Sequence, residues 1–419
     1  MSHVLRLTNQ KTDRSIAGGK AMSLHELHQT GADVPNGFTV TTQSYRDHLE
    51  KIALGDVDKY LSTGDLGAKA AELREEILET AVPAAVSEQI LQIYDDEFAD
   101  DDRVAVRSSA TAEDMEEASF AGQQDTYLNV RREELIERVK ECWASLFTKR
   151  ACVYRERNDI SHADAEMAVV VQQMVDATVS GVLFTSDPVS GDDEMTIESA
   201  WGLGEGVVAG EVTPDRFVVD GETGEVLTTD LSTKRQQYTW SGDDTELIAV
   251  PEEKQESRTL TDEQIQTLWT TAQEITDYFG EPQDIEWAID DGELYILQSR
   301  PITSITSSAT ADTETGVIVE GLGASPGTAA GTVRRIDQID ETDRITGGDI
   351  LVTGVTTPDM VPAMQRAAAV VTDEGGMTSH AAIVSRELGV PSVVGATDAT
   401  EMLSDGQEVT VDGDKGVVT

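Results

Sequence analysis

The sequence predicts a multidomain protein of mixed α/β and α+β class, and three observations carry that reading. The 419 residues exceed what one hydrophobic core ordinarily organises, so two or three domains are expected. Residues 302–316 (ITSITSSATADTETG) are rich in Ser and Thr and nearly without large apolar side chains, the composition of a linker. Beyond it, short β-rich runs alternate with glycine turns and one clear helix, as in a compact α/β domain. The boundaries expected are a domain over 1–301, a linker over 302–316 and a second domain over 317–419.

Taken in chain order, the first chemical feature is Ala17-Gly18-Gly19-Lys20-Ala21-Met22-Ser23-Leu24. Glycines let backbone approach a phosphate closely, and an ammonium group beside them can neutralise it. The spacing is not that of a P-loop, and an ordinary turn has the same composition. The second is Val106-Arg107-Ser108-Ser109-Ala110-Thr111, followed at 119–124 by Ser-Phe-Ala-Gly-Gln-Gln. A buried-strand pattern there ends in an arginine, whose fork matches phosphate oxygens. A salt bridge from Arg107 to Glu113 or Asp114 is the alternative.

Residues 260–279 read as a helix. Thr261-x-x-Gln264 is a capping-box pattern, and apolar residues recur at Ile265, Leu268, Trp269, Ala272, Ile275, Tyr278 and Phe279. The runs Asp284–Ile289 and Leu294–Arg300 flank a turn-like Asp-Asp-Gly-Glu cluster and predict a β-hairpin. Alternation places Asp284 and Glu286 on one face. A register centred on Gly292 sets Glu286 opposite Gln298 and Asp284 opposite Arg300. Two carboxylates, an amide oxygen and a guanidinium on one face could hold Mg²⁺ and steady a polyphosphate, or could form an ordinary solvated face.

In the C-terminal domain, strands are expected at Ile350–Val352, Ala369–Val371, Val393–Val394 and Val409–Val411. A strand runs into Gly375-Gly376, and a helix follows through Ala381, Ala382, Ile383, Val384 and Leu388, with Gly389 and Pro391 as its stop. Thr378 or Ser379 is placed to cap it, which leaves His380 in the first turn. Free N–H groups and the positive end of the helix dipole favour an anion there. A neutral imidazole is a competent nucleophile, so a phosphoryl group formed on His380 would meet those donors. A plain surface histidine near a cap has the same local pattern. His380 is the sole histidine after residue 162, so no histidine metal cluster forms in sequence.

The net charge of −48 comes from 79 acidic against 31 basic residues, and the acids are spread along the whole chain. An acidic partner-binding surface or adaptation to high salt both fit, and the uniform spread favours salt. Nucleic-acid binding through a basic surface is not expected. No signal peptide and no run of about 18 apolar residues is found, so no membrane span and a cytoplasmic location are expected. Cys142 and Cys152 match no disulfide or metal spacing and read as reduced structural thiols.

The run VVTDEGGMTSHAAIVSRELGVPSVVG (370–395) closely resembles the phosphohistidine domain of phosphoenolpyruvate synthase (pyruvate, water dikinase) and its relative pyruvate phosphate dikinase. GLGASPGTAAGTV (321–333) and GDILVTGVTTPDMVPAM (348–364) resemble the rest of that swivelling domain. The resemblance implies that His380 is phosphorylated, with Thr378 and Ser379 in support. Upstream, GGKAMSL, VRSSATAEDMEEASFAGQQDTYLNV, SGVLFTSDP, IESAWGLGEGVVAGEVTPDRFVV, QDIEWAI and LYILQSRPIT resemble the same family's nucleotide-binding domain, an ATP-grasp fold. It implies that Lys20, Arg107 and Arg300 bind ATP phosphates and that Glu286 and Gln298 hold Mg²⁺. Gly122 in the arginine loop, Glu198 and Asp284 join the nucleotide-binding candidates, and Arg107 with His380 the catalytic ones.

That family continues past the histidine domain into a large β/α barrel that binds pyruvate, and no barrel residues map onto this sequence. The function expected is ATP-dependent phosphorylation of His380, the dikinase half of phosphoenolpyruvate synthesis, with pyruvate or a separate pyruvate-binding barrel subunit as acceptor. Two alternatives are a phosphotransferase to another acceptor, as in the rifampicin phosphotransferases, and a non-enzymatic nucleotide-sensing module.

Overall fold

The computed structural model describes residues 2–8, 12–52, 55–99, 102–111, 126–157, 160–188, 192–209, 212–241, 244–302, 317–336 and 338–419. Of the features expected from sequence, Gly122, Glu113, Asp114 and linker residues 303–316 lie outside these. The chain divides into two compact units, residues 1–175 with 240–245, and residues 176–239 with 246–419. The division falls inside residues 1–301.

The first unit is built on an antiparallel sheet of strands β1 (Val4–Arg6), β2 (Gly37–Val40), β3 (Val104–Ala110), β4 (Thr126–Val130) and β5 (Met167–Gln173), in the order β1-β2-β5-β3-β4. Helices α1 (Arg14–Thr30), α2 (Thr42–Ile52), α3 (Val57–Leu61), α4 (Leu66–Glu79), α5 (Ala84–Glu97), α6 (Leu135–Ser145) and α7 (Lys149–Arg157) complete it. Its core joins Phe38, Val40, Leu73, Ile90, Trp143 and Val169, with Cys142 and Cys152 buried among them. Neither cysteine is disulfide-bonded.

The second unit contains two larger sheets. Strands β6 (Val179–Phe184), β7 (Glu194–Trp201), β8 (Asp215–Asp220) and β9 (Val226–Asp230) precede helix α8 (Glu205–Ala209) or follow it, and a two-stranded sheet of β10 (Gln236–Ser241) and β11 (Asp244–Ala249) comes next, its residues 240–245 belonging to the first unit. After α9 (Glu252–Gln255) and α10 (Asp262–Phe279), β12 (Gln283–Asp290) and β13 (Glu293–Pro301) complete an antiparallel sheet in the order β13-β12-β6-β7-β8-β9. The capping box is formed as expected: Thr261 and Gln264 bond each other's backbone N–H, and Gly280 closes α10 in the left-handed conformation. Ile265, Leu268, Ala272 and Ile275 face the core, whereas Tyr278 is 48% exposed.

The C-terminal sheet comprises β14 (Val319–Glu320), β15 (Leu322–Ser325), β16 (Thr328–Arg335), β17 (Asp349–Thr353), β18 (Ala369–Thr372), β19 (Ser392–Val394), β20 (Glu408–Asp412) and β21 (Val417–Val418). Their order is β14-β21-β20-β16-β17-β18-β19-β15, with β16 to β19 parallel. All four strands expected from sequence are present. Helices α11 (Val361–Met364), α12 (His380–Leu388) and α13 (Ala399–Met402) complete the region. Parallel strands are buried on both faces, which explains why β17 and β18 are buried along their whole length, with apolar centres at Ile350–Val352 and Ala369–Val371. Among the described residues no helix is long and apolar enough to cross a membrane.

Candidate active site

In the first unit, the Gly-Gly-Lys segment and the arginine strand come together. Gly18 interrupts α1 with φ 73° and ψ 176°, so the helix restarts beyond it with Lys20 in its opening turn. A Cβ at Gly18 would lie 2.1 Å from the Ser109 carbonyl oxygen, so glycine is required there by the close approach of β3. The Ser109 hydroxyl accepts from Ala21 N at 3.0 Å and donates to Ala17 O at 2.8 Å, stitching across the break. Arg107 lies two residues before Ser109 on β3 and therefore shares its face of the sheet. The segment that carries Lys20 is thus held against the strand that carries Arg107, and the backbone N–H groups of the restarted helix favour an anion. The sequence suggested that glycine serves phosphate approach; at Gly18 its immediate partner is protein backbone.

In the second unit, β12 and β13 form the expected hairpin. Asp291 (φ 48°) and Gly292 (φ 87°) make the two-residue turn with both residues left-handed, the type I′ pattern. Asp290 pairs with Glu293 and Trp287 with Ile296. One extra residue, Leu297, bulges out of β13, and beyond it Glu286 faces Gln298 and Asp284 faces Arg300. The expected cross-strand pairs are therefore present, but they depend on the bulge, because the turn is centred between Asp291 and Gly292.

Arg300 Nε donates to Asp284 Oδ2 at 2.8 Å, and its Nη2 lies 2.8 Å from the same oxygen. Asp284 is buried and holds the guanidinium in place, leaving the Arg300 side chain 44% exposed. Glu286 and Gln298 are half-buried neighbours on that face. A carboxylate and an amide oxygen are hard donors, and Mg²⁺ commonly takes one or two protein oxygens with the rest from substrate phosphates and water, so this pair fits such an ion.

His380 opens α12. The Ser379 hydroxyl caps that helix by accepting from Ala382 N at 3.3 Å, as expected, and Gly389 closes it at φ 61°. His380 Nδ1 lies 2.7 Å from Thr356 Oγ1, in the loop after β17. This contact fixes the orientation of the ring, and sequence reasoning missed Thr356. The loop leading to α12 is held from two sides. Arg386, one and a half turns into α12, donates to Met377 O at 2.7 Å and to Ala324 O at 3.0 Å. Glu198 on β7 accepts from Met377 N at 2.7 Å and from the Thr378 hydroxyl at 3.3 Å.

Electrostatics at this junction are those of a dry site. Burial raises the Glu198 carboxyl above its ordinary value, against the opposing pull of Met377 N–H, Arg216, Thr378 and Arg386. Burial likewise brings Arg386 down to about 10, although Asp284 and Glu198 attract it, and Arg300 repels it. Around these charges Val182, Phe184, Ala324, Met377, Ala381, Ala382 and Val394 form one apolar cluster. Thr378 and Ser379 are both 3% exposed. Asp284, Glu198 and Arg300 thus lie in the electrostatic neighbourhood of the histidine-bearing helix, through Arg386.

Residues 14–317 match the family described as the pyruvate phosphate dikinase AMP/ATP-binding domain, and residues 345–416 match the mobile domain of PEP-utilising enzymes. A probable phosphoenolpyruvate synthase of Methanothermobacter thermautotrophicus is 48% identical over 423 residues, covering 97% of this chain and 62% of the relative. A probable phosphoenolpyruvate synthase of Archaeoglobus fulgidus is 47% identical, covering 97% of this chain and 57% of that protein. The phosphoenolpyruvate synthase of Pyrococcus furiosus is 43% identical, with 97% and 57% covered. The chain therefore spans about three-fifths of the length of these relatives.

Proposed function

The chain belongs to the pyruvate phosphate dikinase AMP/ATP-binding family, with an ATP-grasp-like region followed by the PEP-utilising mobile domain, and from that premise we propose that it uses ATP to phosphorylate His380. The observation that carries this reading is the setting of His380: first residue of a capped helix, Nδ1 fixed by Thr356, and a backbone loop clamped just before it. With Nδ1 engaged, Nε2 is the attacking atom. It attacks the β-phosphorus of ATP, the bond between that phosphorus and the oxygen bridging it to the α-phosphorus breaks, and AMP leaves with that oxygen and the bond's electrons. Water then removes the terminal phosphoryl group as phosphate, which leaves one phosphoryl group on Nε2. Helix N–H groups at the start of α12 favour the charge that develops there.

Lys20, Arg107 and Arg300 hold the ATP phosphates in this reading, Arg300 being oriented by Asp284. Glu286 and Gln298 hold Mg²⁺, which when bound neutralises phosphate charge. Gly122, in the same sequence motif as Arg107, binds the same nucleotide in this reading. Thr378 and Ser379 shape the turn before His380. The functional domains are residues 1–301 and 317–419, joined through 302–316, and the phosphorylated domain swivels to deliver its phosphoryl group. The acceptor is pyruvate on a pyruvate-binding barrel other than the residues described here, so the full conversion is that of a phosphoenolpyruvate synthase. ATP and pyruvate as substrates agree with the cytoplasmic location expected from the sequence.

The test uses ATP labelled separately at the β and γ positions, Mg²⁺, the native chain and His380→Ala. Acid-labile, base-stable label from the β position alone is expected on the native chain, with γ label released as phosphate. No β label at low or molar salt, or label persisting in His380→Ala, would overturn the reading.

A further inference from the structure

Glu198 is 1% exposed, yet it sits in the middle of strand β7 with its carboxylate spent on a loop almost 180 residues later. Both oxygens are engaged: Oε1 by Met377 N at 2.7 Å, and Oε2 by the Thr378 hydroxyl at 3.3 Å, which also lies 3.4 Å from Val207 O. A Cβ at Gly376 would come within 2.5 and 2.7 Å of these same oxygens, so the loop approaches the carboxylate as closely as a glycine allows. From its own domain, Arg386 grips the carbonyl of the same Met377 at 2.7 Å. The Met377 residue is thus clamped at N–H by Glu198 and at C=O by Arg386, three positions before His380.

The geometry points to Glu198 as a positioning residue that docks the loop 375–378 and sets where His380 is presented. The inference rests on the proposed phosphorylation of His380, and it gives Glu198 a part other than contact with the nucleotide. A glutamate suits this task better than an apolar side chain. Buried, it needs donors, and only the correctly seated loop supplies them. Once the loop withdraws, water replaces those donors and no unpaired charge stays buried. A contact of this kind is specific when formed and reversible when broken, which a domain that must dock and leave requires. The apolar cluster around it, including Val182, Phe184, Met377 and Ala381, gives area without register; Glu198 supplies the register.

The experiment compares the native chain with Glu198→Ala, Glu198→Gln and Gly376→Ala. Amide exchange at Met377 is expected to speed up at least tenfold in Glu198→Ala and less in Glu198→Gln, which keeps an acceptor oxygen. The initial rate of His380 labelling from β-labelled ATP is expected to fall at least tenfold in Glu198→Ala and Gly376→Ala. Affinity for α,β-methylene ATP is expected to stay within about threefold of the native value. Unchanged Met377 exchange in Glu198→Ala would overturn the inference, and so would a loss of nucleotide affinity as large as the loss of rate. If the native chain takes no label at all, the phosphorylation reading fails, while Met377 exchange still decides whether Glu198 docks the loop.

Discussion

The imidazole of His380 meets the Thr356 hydroxyl at 2.7 Å, and this contact engages Nδ1 of the two ring nitrogens. Replacing Thr356 by Val keeps the shape and removes one hydrogen bond, worth about 0.5–1.5 kcal/mol net. His380 labelling from ATP is therefore expected to slow roughly 3–10-fold, measured by rapid quench, with nucleotide affinity unchanged. A second residue-scale expectation concerns Lys234, whose ammonium and the Asp215 carboxylate are 2.5 Å apart and both 0% exposed. Asp215 also accepts from Ser232 N, Thr259 N and the Thr259 hydroxyl, so its lone pairs are satisfied only with the lysine present. Lys234→Met leaves a buried carboxylate without its cation, which costs about 3–5 kcal/mol. Urea unfolding is expected to show that loss.

At the level of elements, Gly18 inside α1 and Gly31 at its C-cap make a clean comparison. Gly18 has a positive φ and no room for a Cβ beside Ser109, whereas Gly31 has φ 89° with nothing within 4 Å. Gly18→Ala is expected to lower stability by about 2–4 kcal/mol and to displace Lys20, since strain and overpacking combine. Gly31→Asn, a residue that tolerates the left-handed region, is expected to change stability by less than about 1 kcal/mol. Thermal unfolding of the pair checks both. The β12–β13 hairpin shows how much of an element pattern and turn chemistry reveal. Alternation gave the shared face of Asp284 and Glu286, and the cross-strand partners followed. The Leu297 bulge was not readable, because an extra residue in one strand leaves no mark in a period-two pattern.

For the whole molecule the dominant quantity is a net charge of −48 on 419 residues. Its self-repulsion opposes compaction and is screened over about 10 Å at 0.1 M salt but about 3 Å at 1 M. The melting temperature is therefore expected to rise by more than about 4 °C between 0.1 and 2 M KCl, equivalent to at least about 1 kcal/mol. A flat or falling salt profile would remove screening as the reason for the acidic composition. The compact units divide between Val175 and Asp176 rather than at the Ser/Thr-rich segment, because Val182 and Phe184 of β6 share an apolar cluster with the C-terminal region and Glu198 of β7 is hydrogen-bonded to it.

Reading residues along the chain was enough for whatever depends on near neighbours. The capping box of α10, the Ser379 cap that places His380 first in α12, the four core strands of the C-terminal sheet and the family motifs all belong to that set. Such features arise from backbone groups and side chains a few positions apart, whose energetics are local. Packing across long sequence separations set the rest: Thr356 on the imidazole, Ser109 under Gly18, Arg386 and Glu198 on either side of Met377. Those contacts join segments 9 to 179 positions apart. Their physical requirement, that a buried polar group find a partner, says that a partner must exist without saying where in the chain it lies.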